Sequence, residues 1–171
     1  MSGRPPLAVQ VREAEAAELE AVGALTVDAY LAGDGLQDAS EDGYLVQLRD
    51  AAARAAQAQL LVAVAPDLGL VGTVTVCRSD SPWAEVAKDG EAELRMLAVT
   101  PAAWGRGVAE ALVSDVTHRL RAEGVLRLVL VVLDANDAAH RLYRRLGFRR
   151  SPERDWQPYP GLDLRGFVLD L

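Results

Sequence analysis

One cysteine and two histidines stand in a chain of 171 residues. A lone thiol, Cys77, cannot close an internal disulfide, and no Cys/His pair recurs at ligand spacing, so neither a disulfide scaffold nor a metal site is expected. His118 and His140 stand apart from one another and make no ligand pair. No apolar run reaches transmembrane length, and MSGRPPLAV lacks the apolar core of a signal peptide. A cytoplasmic protein with no membrane partner is the expectation. Positive charge is also short: the net charge is −7, so the broad basic surface that nucleic acid requires is missing. The exception is a local run, Arg141, Arg144, Arg145, Arg149 and Arg150. What the chain does have is hydrophobic residues, 50% of the total, enough for one compact domain with a sizeable core. That domain is expected over residues 7–171 behind a flexible tail, residues 1–6, with no internal repeat and no low-complexity linker.

Alternation in LAVQVREA predicts a first strand near residues 7–11. Glu13, Glu15 and Glu18 then open a helix whose inner face is Leu19, Val22, Leu25 and Ala29. GDGLQDASEDG reads as a loop, and a second helix runs to about Gln57 with Tyr44, Leu45, Leu48, Ala52 and Ala55 inward. LLVAVA and LVGTVTVC, separated by the turn PDLG, predict an antiparallel hairpin. AELRMLAV is another strand, followed by TPAAWGRG and a helix to about Arg121 that Gly124 stops. VLRLVLVVL is an almost unbroken apolar run, suited to a strand buried on both faces. DAND caps a fourth helix that ends at Gly147, and LRGFVLDL closes the chain as a strand. The strand–helix–strand stretch from Glu93 onward sets two strands side by side in parallel, which makes the sheet mixed.

One detail breaks the pattern. The helix beginning near Val108 carries Gly105 and Gly107 at its start, each costing about 1 kcal/mol in a helix interior relative to alanine. It also carries Arg106, where the helix dipole favours an acid. A strand running through glycines into a helix makes an anion site, because the first N–H groups are unpaired and no Cβ blocks a phosphate. The same glycines also suit a tight turn or close helix–sheet packing, and spacing alone does not separate the two readings. A Walker A loop is excluded, since no Lys-Ser/Thr pair follows. A dinucleotide fingerprint is weakened by Glu110 at the position of its third glycine.

The segment from Glu93 through Phe148 resembles the GNAT superfamily of N-acetyltransferases. Trp104-Gly105-Arg106-Gly107-Val108-Ala109 aligns with the R/Q-x-x-G-x-G/A signature. ELRMLAVTP resembles the strand before that signature, and NDAAHRLYRRLGF the N-x-x-A-x-x-x-Y-x-x-x-G-F segment after it. One departure stands out: Trp104 occupies the place of the usual Arg or Gln beside the pyrophosphate.

The resemblance implies an α/β fold with a mixed, mostly antiparallel sheet, a parallel pair of strands splayed apart, and flanking helices. It implies acetyl-coenzyme A as cosubstrate, direct acetyl transfer without a covalent intermediate, and a primary amine acceptor, small molecule or protein. The pantetheine arm would lie against Leu97, Ala98 and Val99, and the diphosphate on the amides of Gly105, Arg106, Gly107, Val108 and Ala109 beside Trp104. Asn136 and Ala139 would flank the arm, Asn136 reading equally as a helix cap. Tyr143 would protonate the departing thiolate, and Glu93 would take the proton of the amine, with Glu91 on the same strand face as second choice. The arginine run would be a solvated helix face or meet the 3′-phosphate. Trp83, Trp156, Tyr159, Tyr30 and the GDGLQD loop are candidate walls for the acceptor. Dimers are common in the family. Two rivals stay open: a catalytically silent acyl-CoA sensor of the same fold, and an unrelated α/β protein that binds phosphate ligands.

Overall fold

The computed structural model describes residues 4–33 and 43–171. The outermost part of the expected N-terminal tail and nearly all of the GDGLQDASEDG loop lie outside those residues. Seven strands form one sheet in the order β1-β2-β3-β4-β5-β7-β6: β1 Gln10–Glu13, β2 Gln59–Ala65, β3 Gly69–Arg78, β4 Glu91–Val99, β5 Arg127–Leu133, β6 Arg149–Arg150 and β7 Leu164–Asp170. Every neighbouring pair is antiparallel except β4 and β5, which run parallel. Helices α1 Leu19–Ala32, α2 Tyr44–Arg49, α3 Ala51–Gln57, α4 Val108–Ala122 and α5 Asp137–Arg145 flank it. Among the described residues no helix is long and apolar enough to cross a membrane.

The main core lies between the sheet and α4, where Val108, Leu112, Val113, Val116 and Leu120 meet Leu61, Val71, Val74, Ala92, Leu94 and Leu128. A smaller cluster of Val27, Leu48 and Met96 lies where α1 and α2 approach β4. The hairpin, the parallel pair and both flanking helices α4 and α5 stand where the sequence pattern puts them.

Four local expectations need correction. The first strand begins at Gln10 rather than Leu7, because the Leu7 N–H donates to the Arg106 carbonyl at 2.9 Å and ties that segment to the loop before α4 instead of to β2. The inner face of α1 includes Gly23, Thr26 and Val27. A Cβ on Gly23 would stand 2.1 Å from the Arg49 carbonyl oxygen, so the glycine permits α1 to touch the end of α2. The expected second helix is two helices broken at Asp50, whose carboxylate caps the new start by accepting from the Ala53 N–H at 2.9 Å. That break rotates Ala51 and Arg54 inward and leaves Ala52 exposed. Arg54 is fully buried and donates to the Leu48 carbonyl at 2.6 Å, to Thr75 Oγ1 at 3.0 Å and to Thr26 Oγ1 at 3.4 Å, which joins α1, α2 and β3 around one guanidinium. Finally, β5 is buried only over Leu128–Leu130, and Val131, Val132 and Leu133 are partly open.

Candidate active site

The partial exposure of β5 follows from what β4 does. Across β3 and β4, Thr75 pairs with Arg95 and Thr73 with Ala98, so three steps on β4 oppose two on β3. The extra residue is a bulge, and Met96 within it has φ 51, a left-handed value that a long side chain rarely adopts. The bulge inverts the alternation: Ala92 and Leu94 face the α4 core before it, Leu97 and Val99 after it. It also bends β4 away from its neighbour. The parallel pairing ends at Glu93↔Val129, and beyond that point β4 pairs only with β3 while β5 pairs only with β7. The two strands therefore open toward their C-terminal ends. Because the Thr100 N–H donates to the Val71 carbonyl at 2.9 Å, antiparallel alternation turns the peptide groups of Ala98 toward β3 and those of Leu97 and Val99 into the gap.

At the mouth of that gap the chain turns into α4. Gly105 and Gly107 have φ 70 and 80, and a Cβ at either would meet nothing within 4 Å. Conformation, not crowding, demands glycine here. Among the described residues, no backbone N–H from Gly105 through Glu110 has an acceptor within the protein. Six successive amides at a helix start, adjoining a gap in the sheet, form an anion cradle. Arg106 lies beside it, its Nε donating to the Pro5 carbonyl at 3.1 Å. Trp104 is exposed, and its indole N–H donates to the Val99 carbonyl at 2.6 Å. The indole thus caps one of the peptide groups that face the gap.

Across the gap, Asn136 accepts from the Ala139 N–H at 3.1 Å and caps α5, with Ala139 partly buried one turn on. Tyr143 is buried, its ring packed edge-on to Phe148 at 5.4 Å and near Phe167 at 6.2 Å. Its hydroxyl has no hydrogen-bond partner among the described residues, and burial holds its pKa well above the ordinary phenol range. A neutral phenol with an uncommitted hydroxyl is equipped to donate.

The two carboxylates on the opposite face of β4 differ from that. Glu93 is fully buried: one oxygen accepts from the N–H groups of Glu85, Val86 and Ala87 at 2.8, 2.8 and 3.1 Å, and the other has no partner. Glu91 is bound to Arg154 at 2.7 Å, to Arg127 at 3.6 Å and to the Lys88 N–H at 2.9 Å, which makes it a tie between loops. Cys77, directly across from Glu93, is buried, and burial pushes its thiol up to about 12.

On this same face Tyr30 and Trp83, two of the candidate acceptor walls, come together with Tyr44 and with an ion pair, Glu85–Arg95, that sequence reasoning missed. Arg95 pairs with Glu85 at 2.9 Å and donates to the Trp83 carbonyl at 2.7 Å. Tyr30 and Tyr44 meet edge-to-face at 6.2 Å around Met96. Burial first, then the neighbouring Tyr44 and Tyr143 hydroxyls, raise the Tyr30 phenol well above its ordinary range. Alternation that holds from Glu91 to Met96 and then stops at Leu97 was the available sign of the bulge. The arginine run also divides: Arg145 turns toward Glu110 on α4 at 3.5 Å, Arg149 joins Asp170 at 3.0 Å, and Arg141, Arg144 and Arg150 line a separate pocket with Arg165.

Comparison with known proteins gives a consistent answer. Residues 22–148 match the Acetyltransferase (GNAT) family. A mycothiol acetyltransferase of Beutenbergia cavernae is 40% identical over 68 residues, 40% of this chain but 23% of that protein, so the chain spans about a quarter of its length. A GCN5-related N-acetyltransferase from Kribbella flavida is 28% identical over 96% of this chain and 98% of that one, with a TM-score of 0.70. The PaiA N-acetyltransferase of Thermoplasma acidophilum, solved with coenzyme A, has the same fold at 15% identity and a TM-score of 0.71 over 96% of this chain and 100% of that one. The bulged strand, the splayed parallel pair and the glycine-led helix are thus those of a chain that belongs to the GNAT family of acetyltransferases.

Proposed function

We propose that the protein transfers the acetyl group of acetyl-CoA directly to a primary amine, an N-acetyltransferase reaction with either a small molecule or a protein amino group as acceptor. The observation that carries this reading is the run of unpartnered amides from Gly105 to Glu110 opening into the gap between β4 and β5. The residues present fit the cosubstrate. The amides of Gly105, Arg106, Gly107, Val108 and Ala109 would hold its diphosphate, and the gap-facing peptides of Leu97 and Val99 its amide-rich arm, with Ala98 keeping the strand in register. The Val99 carbonyl is occupied by Trp104, which leaves the Val99 N–H and Leu97 for the arm. Asn136 and Ala139 would form the facing wall.

When bound, acetyl-CoA supplies a thioester carbonyl open to attack by nitrogen. Tyr143 then gives its proton to the departing sulfur, a contribution of about 10²- to 10⁴-fold for a well-placed acid. Glu93 serves the amine side, holding residues 85–87 in place by accepting hydrogen bonds from their three backbone N–H groups. No nucleophilic side chain is used, and the thiol of Cys77 stays protonated and buried.

Calorimetric titration with acetyl-CoA and with adenosine diphosphate tests the reading, followed by thiol release across a panel of amines. The expected result is much tighter binding of acetyl-CoA and release with at least one amine. Equal affinity for the two ligands would remove the role of the gap. Tight binding with no release, unchanged by Tyr143→Phe, would favour a sensor.

A further inference from the structure

We infer that Glu85 is the group that takes the proton from the acceptor amine, with Glu93 and Arg95 as the residues that position it. The inference rests on the acetyltransferase reading above. An amine arrives at neutral pH as an ammonium ion without a lone pair, so the acceptor side needs a base that touches it and can return the proton to water.

The carboxylates of β4 do not meet both requirements. Glu91 is held between two arginines and a backbone amide. Glu93 is 0% exposed, and one of its oxygens is filled by three N–H donors. A proton arriving on its remaining oxygen would have no exit to solvent.

Glu85 meets them. Its side chain is 28% exposed and its one charged partner is Arg95, 2.9 Å away and 11% exposed. The loop that carries it is not free to drift, because the Glu85 N–H itself is one of the three bonds to Glu93, at 2.8 Å. Arg95 is held in turn by the Trp83 carbonyl and immediately precedes the bulged Met96, where β4 leaves β5. The ion pair therefore stands at the acceptor side of the gap, next to the aromatic cluster of Tyr30, Tyr44 and Trp83. Those rings suit a cationic amine by their negative faces, and Glu85 supplies the opposite charge.

The electrostatics agree. Burial raises the Glu85 carboxyl above the ordinary carboxylate range, the charge of Glu93 adds to the rise, and Arg95 opposes it. Tyr44, from α2, faces the same carboxylate. A carboxylate made more basic in this way is better matched to proton transfer near neutrality.

The step balances. Glu85 removes one proton from the ammonium and passes it to solvent. The freed nitrogen forms its bond to the thioester carbonyl carbon, the carbon–sulfur bond breaks, and sulfur takes the proton of Tyr143. The second proton on nitrogen returns to the tyrosinate through water. The products are an amide, a free thiol and one released proton.

The test compares the parent with Glu85→Gln and Glu93→Gln from pH 4 to 10, with 2-phenylethylamine as the probe amine and its own titration subtracted. Acetyl-CoA affinity is measured alongside by calorimetry, and the Glu85 carboxyl is followed by carbon-detected NMR in the ligand-free protein. The expected result for Glu85→Gln is a loss of about 10²- to 10³-fold in kcat/KM, disappearance of the acid limb and unchanged acetyl-CoA affinity. In Glu93→Gln the limb survives and moves to lower pH, because a like charge has gone. Glu85→Gln within about threefold of the parent, or an acid limb lost only in Glu93→Gln, would overturn the assignment. So would a Glu85 titration midpoint at or below that of an ordinary glutamate, a result that needs no turnover at all. Failure of the parent to bind acetyl-CoA would instead defeat the transferase reading.

Discussion

The two sides of β4 are built by different means. On the α4 side the cradle is backbone: six amides in succession, freed by two glycines in left-handed conformation and aimed by a helix start. On the α1–α2 side the cluster is made of side chains from separate elements: Tyr30 from α1, Tyr44 from α2, Trp83 and Glu85 from the loop before β4, and Arg95 from β4 itself. A backbone site belongs to one short stretch and tolerates exchange of its side chains. A converging site depends on every helix that presents a residue to it. The first kind suits a cosubstrate shared by a family, the second an acceptor that differs from member to member.

That contrast can be broken or sharpened by substitution. The largest effect is expected from Tyr143→Phe, which should lower turnover by about 10²- to 10³-fold and leave acetyl-CoA affinity unchanged in calorimetry. Equal loss of both would make Tyr143 a packing residue for Phe148 and Phe167. Next comes Gly23→Ala. Alanine favours a helix over glycine by about 1 kcal/mol, but its Cβ would stand 2.1 Å from the Arg49 carbonyl. Overpacking of about 1–3 kcal/mol should win and lower the thermal midpoint by several degrees. Because α1 and α2 carry Tyr30 and Tyr44, the same variant should raise KM for the amine while sparing acetyl-CoA binding.

Gly107→Val tests the other side. A β-branched residue at φ 80 costs about 1–2 kcal/mol of backbone strain and covers the amides. Acetyl-CoA affinity should fall about 10- to 100-fold with little change in KM for the amine.

A smaller, pH-dependent effect is expected at Asp155. Its carboxyl is held at about 2, chiefly by hydrogen bonding to the Arg150 guanidinium. A folded-state pKa below the unfolded value contributes stability present above the unfolded pKa, near 4, and lost as the pH falls toward 2. Asp155→Asn should therefore flatten the acid limb of the stability curve, measured by denaturant unfolding between pH 5 and 2. Smallest of all should be Trp104→Arg. The guanidinium gains the diphosphate, but the Val99 carbonyl loses its indole cap, so acetyl-CoA affinity should change by less than about tenfold.

How much of this was legible beforehand depends on range. Gly105, Gly107 and Asn136 act within a few residues of themselves, so their spacing marked a special turn and a helix start, though it did not separate an anion cradle from a tight turn. The hairpin and the parallel pair were legible for the same reason, since turn residues and apolar runs are local signals. Gly23 gave no such signal, because its reason, the Arg49 carbonyl, lies 26 positions away. Asp50 splits an apparently continuous helix because its side chain caps the second half, and only that break turns Arg54 inward. Glu85 carries no sequence signal of its own, and its placement is set by Glu93 and Arg95 on a strand that returns beside it.

By itself, then, the order of residues determined the alternation of strands and helices, the net negative charge, and the glycine turn at the start of α4. Each of these follows from neighbours along the chain. Only the tertiary structure decided which carboxylate is sealed in, which stays open to water, and that the bulge at Met96 opens the sheet between β4 and β5. Burial and ion pairing are set by groups distant in sequence, and charge in a low-dielectric interior answers to those groups.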